Sequence, residues 1–169
     1  MKNKIIIGVD PGTKKIGVGI IHIDNNSIIN FVMTYSILLK EETINLKFKK
    51  IFNKISFLIK KYNTNELSIE TPFLGKNVQS MLKLVQVQGV VIAAGLKYNI
   101  PFNEYSPKKI KNSITGNGNS SKEEVSKMLI NMLNIKKKFK NLDESDGLAV
   151  AVCHFLNKKK LNLKKKNKK

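Results

Sequence analysis

No arginine and no tryptophan occur in these 169 residues, and cysteine occurs once, at Cys153. One cysteine excludes an internal disulfide framework and a cysteine-based zinc cluster. Acids are scarce: 12 Asp and Glu stand against 31 cations, all of them lysine, for a net charge of +19. Without arginine, phosphate would be met by point charges rather than bidentate forks. Long apolar runs are missing as well. Ile5-Ile6-Ile7 is too brief for a signal peptide. Leu84–Leu96, interrupted by Gln86 and Gln88, is too short to span a bilayer. The expectation is a protein of the reducing cytoplasm with no membrane partner. What is present suffices for one globular domain, since 41% hydrophobic residues with eight Phe and four Tyr exclude wholesale disorder. The wealth of Lys, Asn and Ile is the mark of A+T-rich coding, so the charge alone says little about function.

The charge is uneven. Eight lysines and no acid lie between Lys158 and Lys169, leaving 23 lysines against 12 acids before them. Residues 1–157 read as the folded domain, and 158–169 as a disordered lysine-rich tail, either simply solvated or a nucleic-acid-binding arm. Lys4–Val9, Ile16–Ile23 and Ile28–Ile37, separated by short turn segments, predict an antiparallel meander. Apolar residues from Ile44 to Tyr62 then recur with helical period. A short strand Glu66–Glu70, a helix Val78–Tyr98 and a strand Ile100–Tyr105 follow. Pro107 opens a short helix ending at Gly116, and Ser120 or Ser121 with Glu123 or Glu124 makes a capping box for a helix to about Leu133. The last helix is expected from Asp143 to about Leu156. The order predicts an α/β domain with a five-stranded mixed sheet, meander on one side and parallel crossovers on the other, flanked by helices.

In so basic a chain the acids carry the information. Asp10 ends the first strand before Pro11-Gly12, Glu70 ends the fourth, and Asp143 and Asp146 share one face of a helix start. Each has an ordinary reading, as turn residue, strand-end acid or N-cap. Together they form a pattern those readings do not predict. If the first and fourth strands are neighbours, Asp10 and Glu70 meet at one sheet end, and a helix across it adds the other two. Four carboxylates so close demand hard cations. Oxygen-only ligands suit Mg²⁺ or Mn²⁺, and two ions ~4 Å apart can activate water and stabilise a leaving oxygen in phosphodiester cleavage.

Ile6-Ile7-Gly8-Val9-Asp10-Pro11-Gly12-Thr13 with Gly17 and Gly19, and then Glu70-Thr71-Pro72-Phe73-Leu74-Gly75-Lys76-Asn77, resemble two motifs of the RuvC Holliday-junction resolvase family. Leu84–Val90, Glu104–Pro107 with Lys108–Lys111 and Gly116–Gly118, and Asp143–Ala151 are similar to its later segments, in order and as far as His154. The resemblance implies an RNase H-like fold, a homodimer, and symmetric nicking of four-way junction DNA in recombination and repair. It implies Mg²⁺, two ions per subunit with Mn²⁺ as substitute, and a RuvA-RuvB branch-migration partner. By the same resemblance Asp10, Glu70, Asp143 and Asp146 hold metal, Phe73 contacts junction bases, and Lys76, Lys111 and Lys122 lie near DNA. Gly147 departs from the usual small residue with a Cβ and weakens its helix slightly. Glu144 points about 100° from Asp143, and Asp143 is kept because it shares a face with Asp146.

His154, more than two turns from Asp146, is left outside the site. His22 and Cys153 read as structural. Gly89 and Ala93 permit close approach of another backbone. Three rival functions fit the sequence less well. An actin-like ATPase needs a second domain and phosphate motif that this chain lacks. A YqgF-like nuclease does not predict Glu70 followed by Phe73 and Lys76-Asn77. A non-catalytic basic DNA-binding module does not call for four intact acids.

Overall fold

The structure is a computed structural model, which describes residues 3–72, 78–136, 139 and 143–166. Strands β1 (Lys4–Asp10), β2 (Lys15–Ile23) and β3 (Ile29–Leu38) form the expected meander, and β4 (Glu66–Glu70) and β5 (Phe102–Tyr105) complete a sheet of order β3-β2-β1-β4-β5. The first two pairings are antiparallel. β1 to β4 and β4 to β5 are parallel. Strand alternation sorts the residues by face. Ile7, Val9, Leu67 and Ile69 point into a core with helices α1 (Ile44–Lys61) and α2 (Val78–Leu96). Ile6 and Ile21 point the other way, into a second core built with α3 (Pro107–Thr115), α4 (Lys122–Met132) and α5 (Asp143–Lys166).

Helix ends follow local chemistry. Thr43 caps α1 by accepting the Leu46 amide at 3.3 Å. Ser106 caps α3, whose end at Gly116 has φ +80°. Ser121 and Glu124 form the capping box of α4. α2 stops two residues before the expected Tyr98, because the last amides turn back to carbonyls three residues earlier and Asn99 takes a φ of 55°. β5 starts at Phe102, since the Ile100 amide is engaged by Gly95 at 3.1 Å. Among the described residues α2 alone is long and apolar enough to cross a membrane. One face of it, with Val87, Val91 and Ala94, is buried in the core, while Val78, Leu82, Val85 and Leu96 are exposed.

α5 departs most from expectation. It does not end near Leu156 but continues to Lys166, so the lysine-rich segment as far as 166 is helical rather than disordered. Lysine is a good helix former, no glycine or proline intervenes, and cations at a helix C-terminus complement its dipole. α5 also lies on the sheet backbone to backbone. A Cβ on Gly8 would fall 2.2 Å from the Gly147 carbonyl oxygen, and one on Gly19 would fall 2.2 Å from the Leu148 Cα. A Cβ on Gly147 would sit 2.7 Å from the Gly17 carbonyl. Gly147 is therefore required by packing, beyond its small cost in helix propensity. We expect Gly19→Ala to lower stability by about 1–3 kcal/mol, the range for overpacked interiors. The reduced midpoint in urea at unchanged slope would show it.

Candidate active site

β1 and β4 run parallel with Val9 opposite Ile69, so the next residues, Asp10 and Glu70, stand side by side at the same sheet end. Each lies an even number of residues from a position facing α5, so both carboxylates emerge towards that helix. The glycine contact sets Asp146 in the first turn of α5 beside them. Asp10, Glu70 and Asp146 line one cavity of about 190 Å³, with Lys111 from α3 and Lys122 from α4. Pro107, Ile110, Val125 and Ala149 form its apolar wall. Asp143 begins α5, and its side chain lies outside the described atoms. Phe73 and Lys76 lie outside the described residues.

The cavity is electrostatically unbalanced. Burial, then the charges of Asp10 and Asp146, push the Glu70 carboxyl up to about 8, against the opposing pull of Lys122 and Lys111. Lys122 Nζ donates to Asp146 Oδ2 at 2.6 Å. Its placement in the first turn of α4 is disfavoured by the helix dipole, and Glu123 and Glu124 in the same turn offset this. The ammonium thus serves as a stand-in countercharge for the acids.

Among the described residues, no three His, Cys, Asp or Glu side chains are gathered into a set that would hold a metal ion as they stand. The chemistry of the donors nonetheless fits a hard divalent cation, because every acid at the cavity offers carboxylate oxygen alone. The raised Glu70 carboxyl marks the same site as short of positive charge.

The family described as crossover junction endodeoxyribonuclease RuvC matches residues 6–154. A RuvC of Christiangramia forsetii is 51% identical over 96% of this chain and 84% of its own length. One of Porphyromonas gingivalis is 47% identical over 91% of this chain and 82% of its own. The chain belongs to the RuvC family. In structure it is similar to Thermus thermophilus RuvC in complex with a Holliday junction substrate, with TM-score 0.82 at 18% identity over 92% of this chain and 95% of that one. The yeast mitochondrial Holliday junction resolvase Ydc2 aligns with TM-score 0.63 at 14% identity. These likenesses show the RNase H-like fold.

A second polar group, with no motif in the sequence to announce it, holds α5 to the same face of the sheet two turns further along. His154, fully buried, donates from Nε2 to Glu66 Oε2 at 2.6 Å and meets the Tyr105 hydroxyl through Nδ1 at 2.8 Å. Burial would raise the Glu66 carboxyl, but hydrogen bonds from His154, Lys158 and Lys4 outweigh it and hold it well below the usual range. Burial, with Cys153 and Glu66 nearby, pushes the Tyr105 hydroxyl up to about 12. His154 therefore serves Glu66 rather than the cavity. A signal existed: Glu66 precedes Glu70 by four on one strand and faces the same side.

The sign of the pH effect at Glu70 follows from its raised carboxyl. The unfolded chain loses this proton near 4.5 and the folded one near 8, so between them the unfolded state binds fewer protons. Metal-free protein should lose stability from this group as pH rises through that window. Urea midpoints at pH 5 and pH 8.5 should show the loss, smaller when Mg²⁺ is added and smaller in Asp10→Asn.

Proposed function

We propose that this RuvC-family chain is a structure-selective endodeoxyribonuclease that resolves four-way DNA junctions by symmetric nicking of two strands, leaving 5′-phosphate and 3′-hydroxyl ends. The observation that carries the chemistry is the convergence of Asp10, Glu70 and Asp146 on one lysine-rimmed cavity. In this reading those three and Asp143 hold one or two divalent ions, with Mg²⁺ the expected species and Mn²⁺ a substitute. Bound there, such ions supply Lewis acidity for activating water and stabilising the leaving oxygen. Lys111 and Lys122 hold the polyanion at the mouth. Lys122, paired with Asp146 in the metal-free chain, would turn towards a phosphate where a cation took over that carboxylate. Phe73 stacks on a junction base and Lys76 neutralises phosphate.

Symmetric cutting calls for two copies related by a twofold axis. α2 supports a homodimer. Val78, Leu82, Val85, Gly89 and Leu96 recur every three, four or seven residues on one stripe, with Leu82 54% exposed and Val78 60%. A Cβ on Gly89 would meet nothing within 4 Å. An apolar stripe with a solvent-facing glycine suits a second α2 packed closely against it. A cytoplasmic setting and a RuvA-RuvB branch-migration partner complete the reading, on family membership.

Wild-type chain with Mg²⁺ should cut a synthetic four-way junction and leave a linear duplex of the same sequence intact. Asp10→Asn and Asp146→Asn should each cut about a thousandfold slower, the scale of losing several kcal/mol of charge stabilisation, while still shifting the junction in a gel. Retained cutting would remove those residues from the ligand set. Leu82→Lys should sediment as a monomer and lose paired nicking. A dimer that survives this change would refute the α2 interface.

A further inference from the structure

On the far side of α3 from the catalytic cavity lies a second notch, of similar volume at about 190 Å³. It is lined by Lys109, Asn112 and Ser113 of α3 and by Leu156, Asn157 and Lys160 of α5, with no acid among them. Its floor is ordered. Ser113 Oγ donates to the Lys109 carbonyl at 2.8 Å, and Asn157 Nδ2 donates to Ser113 Oγ at 3.1 Å and to the Cys153 carbonyl at 2.8 Å. An amide and a hydroxyl are thus held in place between two lysines.

The notch and the catalytic cavity share one stripe of α5. Asp146 and Ala149 line the cavity, Cys153 lies under α3, and Leu156, Asn157 and Lys160 line the notch, at steps of three and four. From Asp146 to Lys160 is 14 residues, or about 21 Å along the helix axis. That is the length of about six base pairs at 3.4 Å each. α3 bridges the interval with Lys108 and Lys109 exposed, and the exposed Lys164 lies one turn beyond Lys160 on the same stripe. The lysine ammonium groups and the Asn112 amide are donors to phosphate, the Ser113 hydroxyl and Asn157 amide being engaged within the floor, and no aromatic side chain lines the notch to stack on a base. The family match ends at residue 154, so half of this lining lies past it.

We propose that the α3–α5 notch, through Lys109 and Lys160, grips the phosphate backbone of a junction arm about six base pairs from the cleaved bond. The proposal rests on the junction-resolving function above. Contact of this kind is independent of sequence and holds the arm in line with the cavity.

The test compares full-length wild type with Lys109→Gln/Lys160→Gln and with Lys49→Gln/Lys54→Gln. The latter pair is exposed on α1, on the opposite layer of the sheet. Binding to a fluorescent four-way junction with arms of ~20 base pairs is measured by anisotropy from low to high salt, spanning several turns of duplex. The notch pair should weaken binding about tenfold and flatten the log–log salt slope by nearly two, at 0.9 per phosphate contact. The α1 pair should leave the slope as in wild type. Equal losses in both pairs, or no loss in the notch pair, would overturn the proposal. Because Cys153 is buried, Lys160→Cys carries one accessible thiol for a photocrosslinker. Crosslinks should fall about six base pairs into one arm; crosslinks confined to the branch point would overturn the proposal. Wild type that binds junction no better than duplex and cuts neither would overturn the functional reading, and this inference with it.

Discussion

The molecule depends on one close contact, the backbone of α5 lying on β1 and β2 without intervening side chains. Helices normally stand off a sheet by the depth of two side-chain layers. Here Gly8 and Gly19 remove one layer and Gly147 removes the other, with would-be Cβ atoms 2.2–2.7 Å from main-chain atoms. The carboxylate of Asp146 is short, and only this approach carries it into the cavity that Asp10 and Glu70 enter from the sheet. The departure at Gly147 thus serves the same contact as Gly8 and Gly19.

That contact is reinforced about 10 Å further along α5, seven residues beyond Gly147 at 1.5 Å each, by the Tyr105–His154–Glu66 group. The two carboxylates of β4 have opposite environments on one face. Glu66 is buried but surrounded by donors and stays ionised. Glu70 is buried among like charges and is driven towards its neutral form. The first is a structural anchor that is already satisfied; the second is a site awaiting positive charge. This difference separates a fold-holding acid from a proposed metal ligand.

A net charge of +19 is put to use in separate places. Lysines rim the cavity, where Lys122 already neutralises Asp146. Others lie on α3 and on the helical extension of α5, along the same stripe. Acids inside and cations outside is the arrangement expected of a surface that must attract a polyanion while concentrating divalent ions at one point.

Much of this was legible in the chain. The meander followed from turn residues between β-branched runs, the caps at Ser106 and Ser121 from local hydrogen-bond chemistry, and Asp10 and Glu70 from their placement at strand ends in an acid-poor sequence. These are short-range properties that a few neighbouring residues determine. Family membership was legible for the same reason, since the motifs keep their order and spacing. The rest is long-range. Nothing near Gly147 in sequence reveals that Gly17 lies against it, and nothing near His154 names Glu66, 88 positions away. The end of α5 also escaped, because lysine content argues for solvation while the helix, already anchored by its core turns, needs only continuation to reach Lys166. Local composition specified the elements and their chemical endowment. Only the tertiary structure decided which carboxylate would be paired and which left short of charge, because burial and neighbours, not residue type, set that balance.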